Sequence, residues 1–310
     1  MRKRVIIGIA VGIVLILLIA AGMSKKSHSM DQETFLDAGN KKVALINITG
    51  DIVDSGHVLE LLNTFGNMKN VKAIVLRINS PGGAVGASQE IFREIKKIKE
   101  KGKAIIVSMG DAAASGAYYI SSAADKIYAN PGTITASIGV IMDFVNAEKL
   151  LGKVGLDFVT VKSGKYKDTG SFSRATTPEE KAMLKSLIDD VLNQFVDDVI
   201  DCRLDKLAAA YKIKEKDETK RKKLIKAYML EFVADGRVVT GREAIKLGLV
   251  DELGNIDDAI EGAAAMVGIP GRPMVISEKP RRGISSWIDS KLAGLNFKED
   301  SGVILKYILK

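Results

Sequence analysis

Gly110-Asp111-Ala112-Ala113-Ala114-Ser115-Gly116-Ala117-Tyr118-Tyr119 follows the apolar run Ala104-Ile105-Ile106-Val107-Ser108-Met109, and the junction of the two sets the reading of the chain. The run has the length and β-branched composition of a buried strand. The residues after Ser115 have helical character, so one serine stands where a strand ends and a helix begins. Small neighbours on both sides let a second backbone come close. A helix starting there also aims its free N–H groups and positive dipole end at whatever reacts with the hydroxyl. A plainer reading makes Ser115 the N-cap of an alanine-rich helix. The G-x-S-x-G elbow is excluded, because Ala113 and Ala117 stand where its glycines would be.

Working outward, the pattern on both sides alternates strands with helices. Lys42–Ile48 and Ala73–Ile78 read as strands, with a helix around Val58–Phe65 between them and Asn79-Ser80-Pro81-Gly82-Gly83 after the second. A helix is predicted over Val85–Glu100, and strands over Lys126–Ala129, Ser137–Met142 and Phe158–Val161, with a short helix at Ala147–Val154. Thr177-Pro178-Glu179-Glu180 opens a long helix with an N-cap, a first-position proline and acidic residues in the first turn. Ala234–Gly254 returns to strand, short helix and turn, and Asp257–Val267 is a last helix. Such alternation predicts an α/β domain with parallel pairing.

The chain has 310 residues, enough for one large domain or two modest ones. Val5–Met23 is an uncharged apolar run long enough to span a bilayer, and no clean A-x-A cleavage pattern follows it. It reads as an uncleaved anchor that would place the body outside the cytoplasm. The expected divisions are an anchor over 1–26, a linker over 27–41, one catalytic domain over 42–272 and a tail over 273–310. The net charge of +8 comes mostly from dispersed basic residues. Its densest cluster, Lys212–Lys226, is broken by acidic residues and reads as a solvated helix face, so no nucleic-acid partner is expected. Cys202 is the sole cysteine and excludes an internal disulfide.

Elimination narrows the chemistry. Only His28 and His57 are present, without H-E-x-x-H, paired Cys-x-x-Cys or a His–carboxylate cluster, so no metal is expected. No phosphate-binding loop appears, and no cofactor is called for. A Ser-His-Asp triad would have to recruit His57, far upstream. If Ser115 is a nucleophile, its base is therefore a lysine, which can act only where burial lowers its pKa from about 10.4 by several units. The oxyanion formed by attack needs fixed donors, and the Gly82-Gly83 turn and the N–H of Gly116 are the backbone candidates. Either glycine site can also be read as a tight strand-to-helix turn.

Four segments together resemble the membrane-anchored Ser/Lys signal peptide peptidases of the signal peptide peptidase A family. They are Arg77–Gly83; Gly110–Tyr119; Thr135–Val140 with Ser163-Gly164-Lys165-Tyr166-Lys167-Asp168; and Ala234-Asp235-Gly236-Arg237 continuing to Val250–Gly254. The resemblance covers roughly residues 42–268 and the anchor. It implies a Clp-protease/crotonase-like spiral of βα units after one N-terminal transmembrane helix. It further implies Ser115 as nucleophile, Lys167 as general base, Ser137 as the serine that hydrogen-bonds the lysine, and Gly82 with Gly116 as the oxyanion hole. Lys165 and Lys162 are the local rivals of Lys167. A ring-shaped homo-oligomer is implied, with serine and lysine of one site supplied by adjacent protomers. The segment Asp205–Met229 is longer and more charged than the family pattern, and the tail after Gly271 has no match.

The reading that follows is a membrane-anchored serine endopeptidase acting on apolar peptides such as signal-peptide remnants. One alternative is a crotonase-like acyl-thioester enzyme, for which Glu90 is the first acidic residue after the glycine turn. Another is a non-catalytic membrane-bound ring scaffold with Ser115 as a mere cap. For the tail, Val303–Leu309 is either an added strand in a neighbouring substrate groove or a segment packed on its own domain.

Overall fold

A computed structural model describes residues 41–278 and 306–308. The first half holds β1 (Lys42–Thr49), α1 (Gly56–Asn67), β2 (Val71–Ser80), β3 (Gly82–Ala84), α2 (Val85–Glu100) and β4 (Ala104–Ala114). There follow α3 (Gly116–Ser122), β5 (Lys126–Ala129), β6 (Ile134–Ala136), α4 (Glu148–Lys153), α5 (Pro178–Ala210) and α6 (Glu218–Phe232). The last are β7 (Val238–Thr240), α7 (Gly241–Lys246), β8 (Glu252–Leu253), α8 (Ile256–Met266), β9 (Met274–Ser277) and β10 (Lys306–Ile308).

The main sheet runs β7-β6-β4-β2-β1-β9, with β5 on β4 and β8 beyond β5. Its centre is parallel, Val43 standing opposite Ala73 and Val75 opposite Ile106. Parallel strands need crossovers over the sheet faces, and the helices supply them. Successive side chains alternate between faces. Ile74, Leu76, Ile105 and Val107 join the cluster that includes Leu62 of α1, Ile91 and Ile95 of α2, Ile120 of α3 and Phe195 of α5. Ala73, Val75 and Ile106 point the other way, under Ala259 and Ala263 of α8. Burial on both faces explains why β2 and β4 read as continuous apolar runs rather than alternating ones.

β4 is the branching strand. Its first half pairs with β5, through Ile106–Met109, and its second half with β6, through Ala112–Ala114. Gly110 lies at the changeover, where a Cβ would come within 2.9 Å of Asn79. Splitting the neighbours in this way opens the sheet at the end of β4, directly before Ser115.

Several expectations are corrected. The sheet is mixed rather than parallel throughout, because β7 runs antiparallel to β6. The strand expected at Ser137–Met142 is instead β6, three residues earlier. Phe158–Val161 forms no strand: Val159 is 88% and Val161 95% exposed, and among the described residues the run has no partner edge with which to close a ladder. The membrane-spanning helix expected over Val5–Met23 lies outside the described residues. Among the described residues no helix is long and apolar enough to cross a membrane. Membrane anchoring, single-pass topology and extracytoplasmic placement of the body are therefore withdrawn. Tail residues 279–305 also lie outside the described residues.

The capping signal at Thr177 is realised in full. Glu180 N–H donates to Thr177 Oγ1 while Thr177 N–H donates to the Glu180 carboxylate, and α5 then runs to Ala210 with a kink at Arg203. The basic cluster becomes α6, whose Lys222 and Lys226 pair with Asp201 and Asp197 on α5. Exposed pairs of this kind contribute little singly. α6 is held by Ile225 and Met229, both fully buried.

Candidate active site

Ser115 is 1% exposed and has φ 55° and ψ −118°, a conformation that costs a non-glycine residue about 1–3 kcal/mol. Its side chain makes no capping bond to α3. The N-cap reading fails on both counts. The backbone is held in this shape from the side: Ser115 N–H donates to Ala136 C=O at 2.7 Å, one step beyond the Ala114–Ala136 pair. Gly116 is the first residue of α3, among the N–H groups without helical acceptors.

Ser137 follows β6 directly, at the same end of the sheet as Ser115; it is 6% exposed and it too has positive φ, 50°, as does Ala136 at 61°. The segment Asp235-Gly236-Arg237 holds it there. Ser137 N–H donates to Arg237 C=O at 2.9 Å, and Gly236 N–H donates to Ile138 C=O at 3.0 Å. Arg237 forks onto Asp235 through Nε and Nη2, and this bond holds the Asp235 carboxyl down at about 2. In the sequence these residues form only part of a family signature. Their work is to fix the strained Ala136-Ser137 turn beside Ser115.

Gly82 and Gly83 form β3. Gly82 has φ 108°, where a side chain would be strained, and a Cβ on Gly83 would fall 2.1 Å from Ile52 O. One edge of β3 is occupied by Ile52, which accepts from Ala84 N–H at 2.7 Å and donates to Gly82 C=O at 2.9 Å. The other edge carries β10 in antiparallel register, Tyr307 opposite Gly83 and Ile308 opposite Gly82. β10 also lies against α3. Gly82 N–H donates to Ser80 Oγ at 3.1 Å, so buried Ser80 is its partner in this structure. Sequence reading gave Ser80 no role.

No hydrogen bond joins Lys167 to Ser115 among the described residues. The lysine is exposed, and among the described residues its amine takes part in no hydrogen bond or ion pair. Its rivals are engaged: Lys162 pairs with Asp168 at 2.5 Å, and Lys165 lies over the ring of Tyr166. Tight turns carry Lys167, with Lys167 N–H on Gly164 C=O and Thr169 N–H on Tyr166 C=O, both 3.2 Å. Arg174 anchors the loop. Its Nε and Nη2 grip Asp168, each at 2.8 Å, while Nη1 and Nη2 reach Glu180 at 2.9 and 2.5 Å. Arg174 and then Lys162 hold the Asp168 carboxyl far below the carboxylate range; Arg174 and the Thr177 N–H bring Glu180 down to about 2.

Glu90 accepts a hydrogen bond from Ser55. This places the one acid open to a thioester reading in a contact between the start of α1 and α2. Among the described residues no group of His, Cys, Asp and Glu is arranged to hold a metal.

The Peptidase family S49 profile matches residues 97–231 and 216–269, and that of Clp protease matches residues 40–135. A candidate protease of Synechocystis sp. is 43% identical over 237 residues, 76% of this chain and 78% of the other. A candidate signal peptide peptidase SppA of Enterococcus faecium is 30% identical over 326 residues, 94% of this chain and 89% of the other. The chloroplastic serine protease SPPA of Arabidopsis thaliana is 32% identical over 226 residues, 73% of this chain but 30% of that longer one. With the profile spanning both the Ser115 junction and the Lys167 loop, this chain belongs to peptidase family S49 and is a serine peptidase of the signal peptide peptidase type.

Proposed function

We propose that the protein is an endopeptidase for extended apolar peptides, signal-peptide remnants among them, with Ser115 as nucleophile and Lys167 as general base. The observation that carries this is the state of β3. The edge away from Ile52, beside the helix that starts after Ser115, carries an extended antiparallel strand, the chain's own β10. Main-chain pairing of that kind binds peptide without regard to sequence and leaves alternate side chains to choose among substrates.

In the proposed reaction neutral Lys167 Nζ takes the proton of Ser115 Oγ as the oxygen attacks a peptide carbonyl. The Gly116 N–H and the Gly82 N–H, released from Ser80, hold the oxyanion. Collapse of the tetrahedral intermediate expels the amine, which leaves with the proton from Lys167. Water then cleaves the acyl-enzyme by the same path in reverse. Ser137 orients the lysine.

Lys167 comes from a second copy of the chain in this scheme. Ser115 is enclosed while Lys167 is exposed, on an arm that also exposes Val145, Leu150, Val154, Leu156 and Phe158. Each such side chain left in water forgoes roughly 1.5–3 kcal/mol of burial. A copy seated on this arm would gain that term and would also desolvate the amine, which favours its neutral form.

The test is complementation. S115A and K167A are each expected to be inactive on an apolar peptide, and a mixture of the two, after subunit exchange, to regain part of wild-type activity. Two inactive variants that stay inactive when co-assembled would place both groups in one chain. Undiminished hydrolysis by either variant alone would end the dyad assignment.

A further inference from the structure

The loop that presents Lys167 is charge-balanced in a way that its polar sequence does not reveal. Asp168, the next residue, is a carboxylate whose side chain is 12% exposed, and Glu180 is a second one at 2%. Two cations answer them. Arg174 bridges both carboxylates, and Lys162 reaches Asp168. Glu180 is also fixed at the start of α5 by Thr177 N–H and by Thr169 Oγ1, so this end of the bridge cannot shift. Two negative and two positive charges therefore cancel in the loop that carries Lys167. Without Arg174, Asp168, next to Lys167 in the chain, would have only Lys162 to compensate it, and a nearby carboxylate holds an amine in its charged form.

We infer that Arg174 is a positioning residue for the base: by clamping Asp168 to Glu180 it fixes the turn that carries Lys167 and keeps the Asp168 carboxylate from retaining the lysine's proton. This rests on the dyad reading above. Other charged groups of this region are Lys165 and Glu179, which interact, and Asp143, which precedes Phe144, the ring beside Gly170. None of these is altered in the variants below, so their contribution is common to all.

Charge counting orders the variants. Over Asp168, Glu180, Lys162 and Arg174 the wild type sums to zero, R174M to −1, D168N to +1, and the double variant D168N/R174M again to zero. The experiment measures kcat/KM against pH for the full-length protein and these three variants, with R174K beside them. The acid limb of the profile is expected about one pH unit higher in R174M, lower in D168N, and near the wild-type position in the double variant. At neutral pH the R174M loss, about tenfold, falls on kcat rather than KM. R174K, which keeps the charge but not the fork, is expected to restore the limb and only part of kcat. Should R174M fold poorly, D168N alone still moves the limb. Limbs that coincide in all variants, or a double variant shifted as far as R174M, would overturn the inference and leave Arg174 a structural strut. Failure of the dyad reading shows separately, as hydrolysis that survives K167A.

Discussion

Ser115 and Ala136 meet at the end of the sheet with both backbones at positive φ, 55° and 61°, joined by a 2.7 Å hydrogen bond from Ser115 N–H to Ala136 C=O. Neither strain is relieved locally. The β4–β6 ladder fixes one side, and the bond from Ser137 to Arg237 fixes the other. The serine hydroxyl is thereby held off the helix it would otherwise cap.

If that strain is stored at Ser115, the proposed nucleophile, glycine should release it. S115G is expected to melt a few degrees above S115A, corresponding to about 1 kcal/mol after the entropic cost of glycine is deducted, while both are inactive. Differential scanning calorimetry compares the two. An S115G variant that melts below S115A would show that the conformation costs nothing.

Gly83 tolerates no side chain, since a Cβ would sit 2.1 Å from the Ile52 carbonyl oxygen. G83A is expected to push β3 away from Ile52 and to lower kcat/KM by roughly 10²-fold, the scale of an ångström-sized misplacement. Circular dichroism should show the sheet retained. Near-normal hydrolysis would mean that β3 does not bind substrate.

β10 occupies the edge on which substrate is proposed to lie. Truncation after Gly302 should raise the initial rate on a short apolar peptide by about twofold to tenfold, because a tethered strand competes at millimolar effective concentration. Much of the gain should appear as a lower KM. Identical progress curves for truncated and full-length protein would remove the tail from the groove.

Acid should loosen the loop late. Glu180 titrates at about 2 when folded and near 4.5 when free, so its stabilisation is complete above about 4.5 and is lost as pH falls through about 2. E180Q is expected to be less stable than wild type at neutral pH, with the difference closing as pH falls from 4.5 to 2. Thermal unfolding across that range reads the difference. A constant gap would assign the effect to packing alone.

Arg203 is fully buried and rests on Asp251 at 2.9 Å and on Gly248 C=O. Burial pushes the Asp251 carboxyl up, but the charge of Arg203 outweighs it and the group lies below its ordinary value. D251A would strand the guanidinium and cost about 3–5 kcal/mol. Denaturant unfolding checks this, and a loss under about 1 kcal/mol would contradict it.

Local chemistry made much of this protein readable in one dimension. The apolar runs at Lys42–Ile48, Ala73–Ile78 and Ala104–Met109, the Thr177–Glu180 capping box and the strand-to-helix junction at Ser115 declare strands and helix starts through interactions that span only a few residues. Tertiary structure decided what depends on distant partners. Phe158–Val161 looks like a strand but finds no edge to join among the described residues. Ser115 looks like a cap, but Ala136 turns it into something else. The polar run after Ser163 looks free, yet Arg174 binds it to α5. Strain and paired charge arise only when residues far apart in the chain converge, and no window of sequence contains both halves of such a contact.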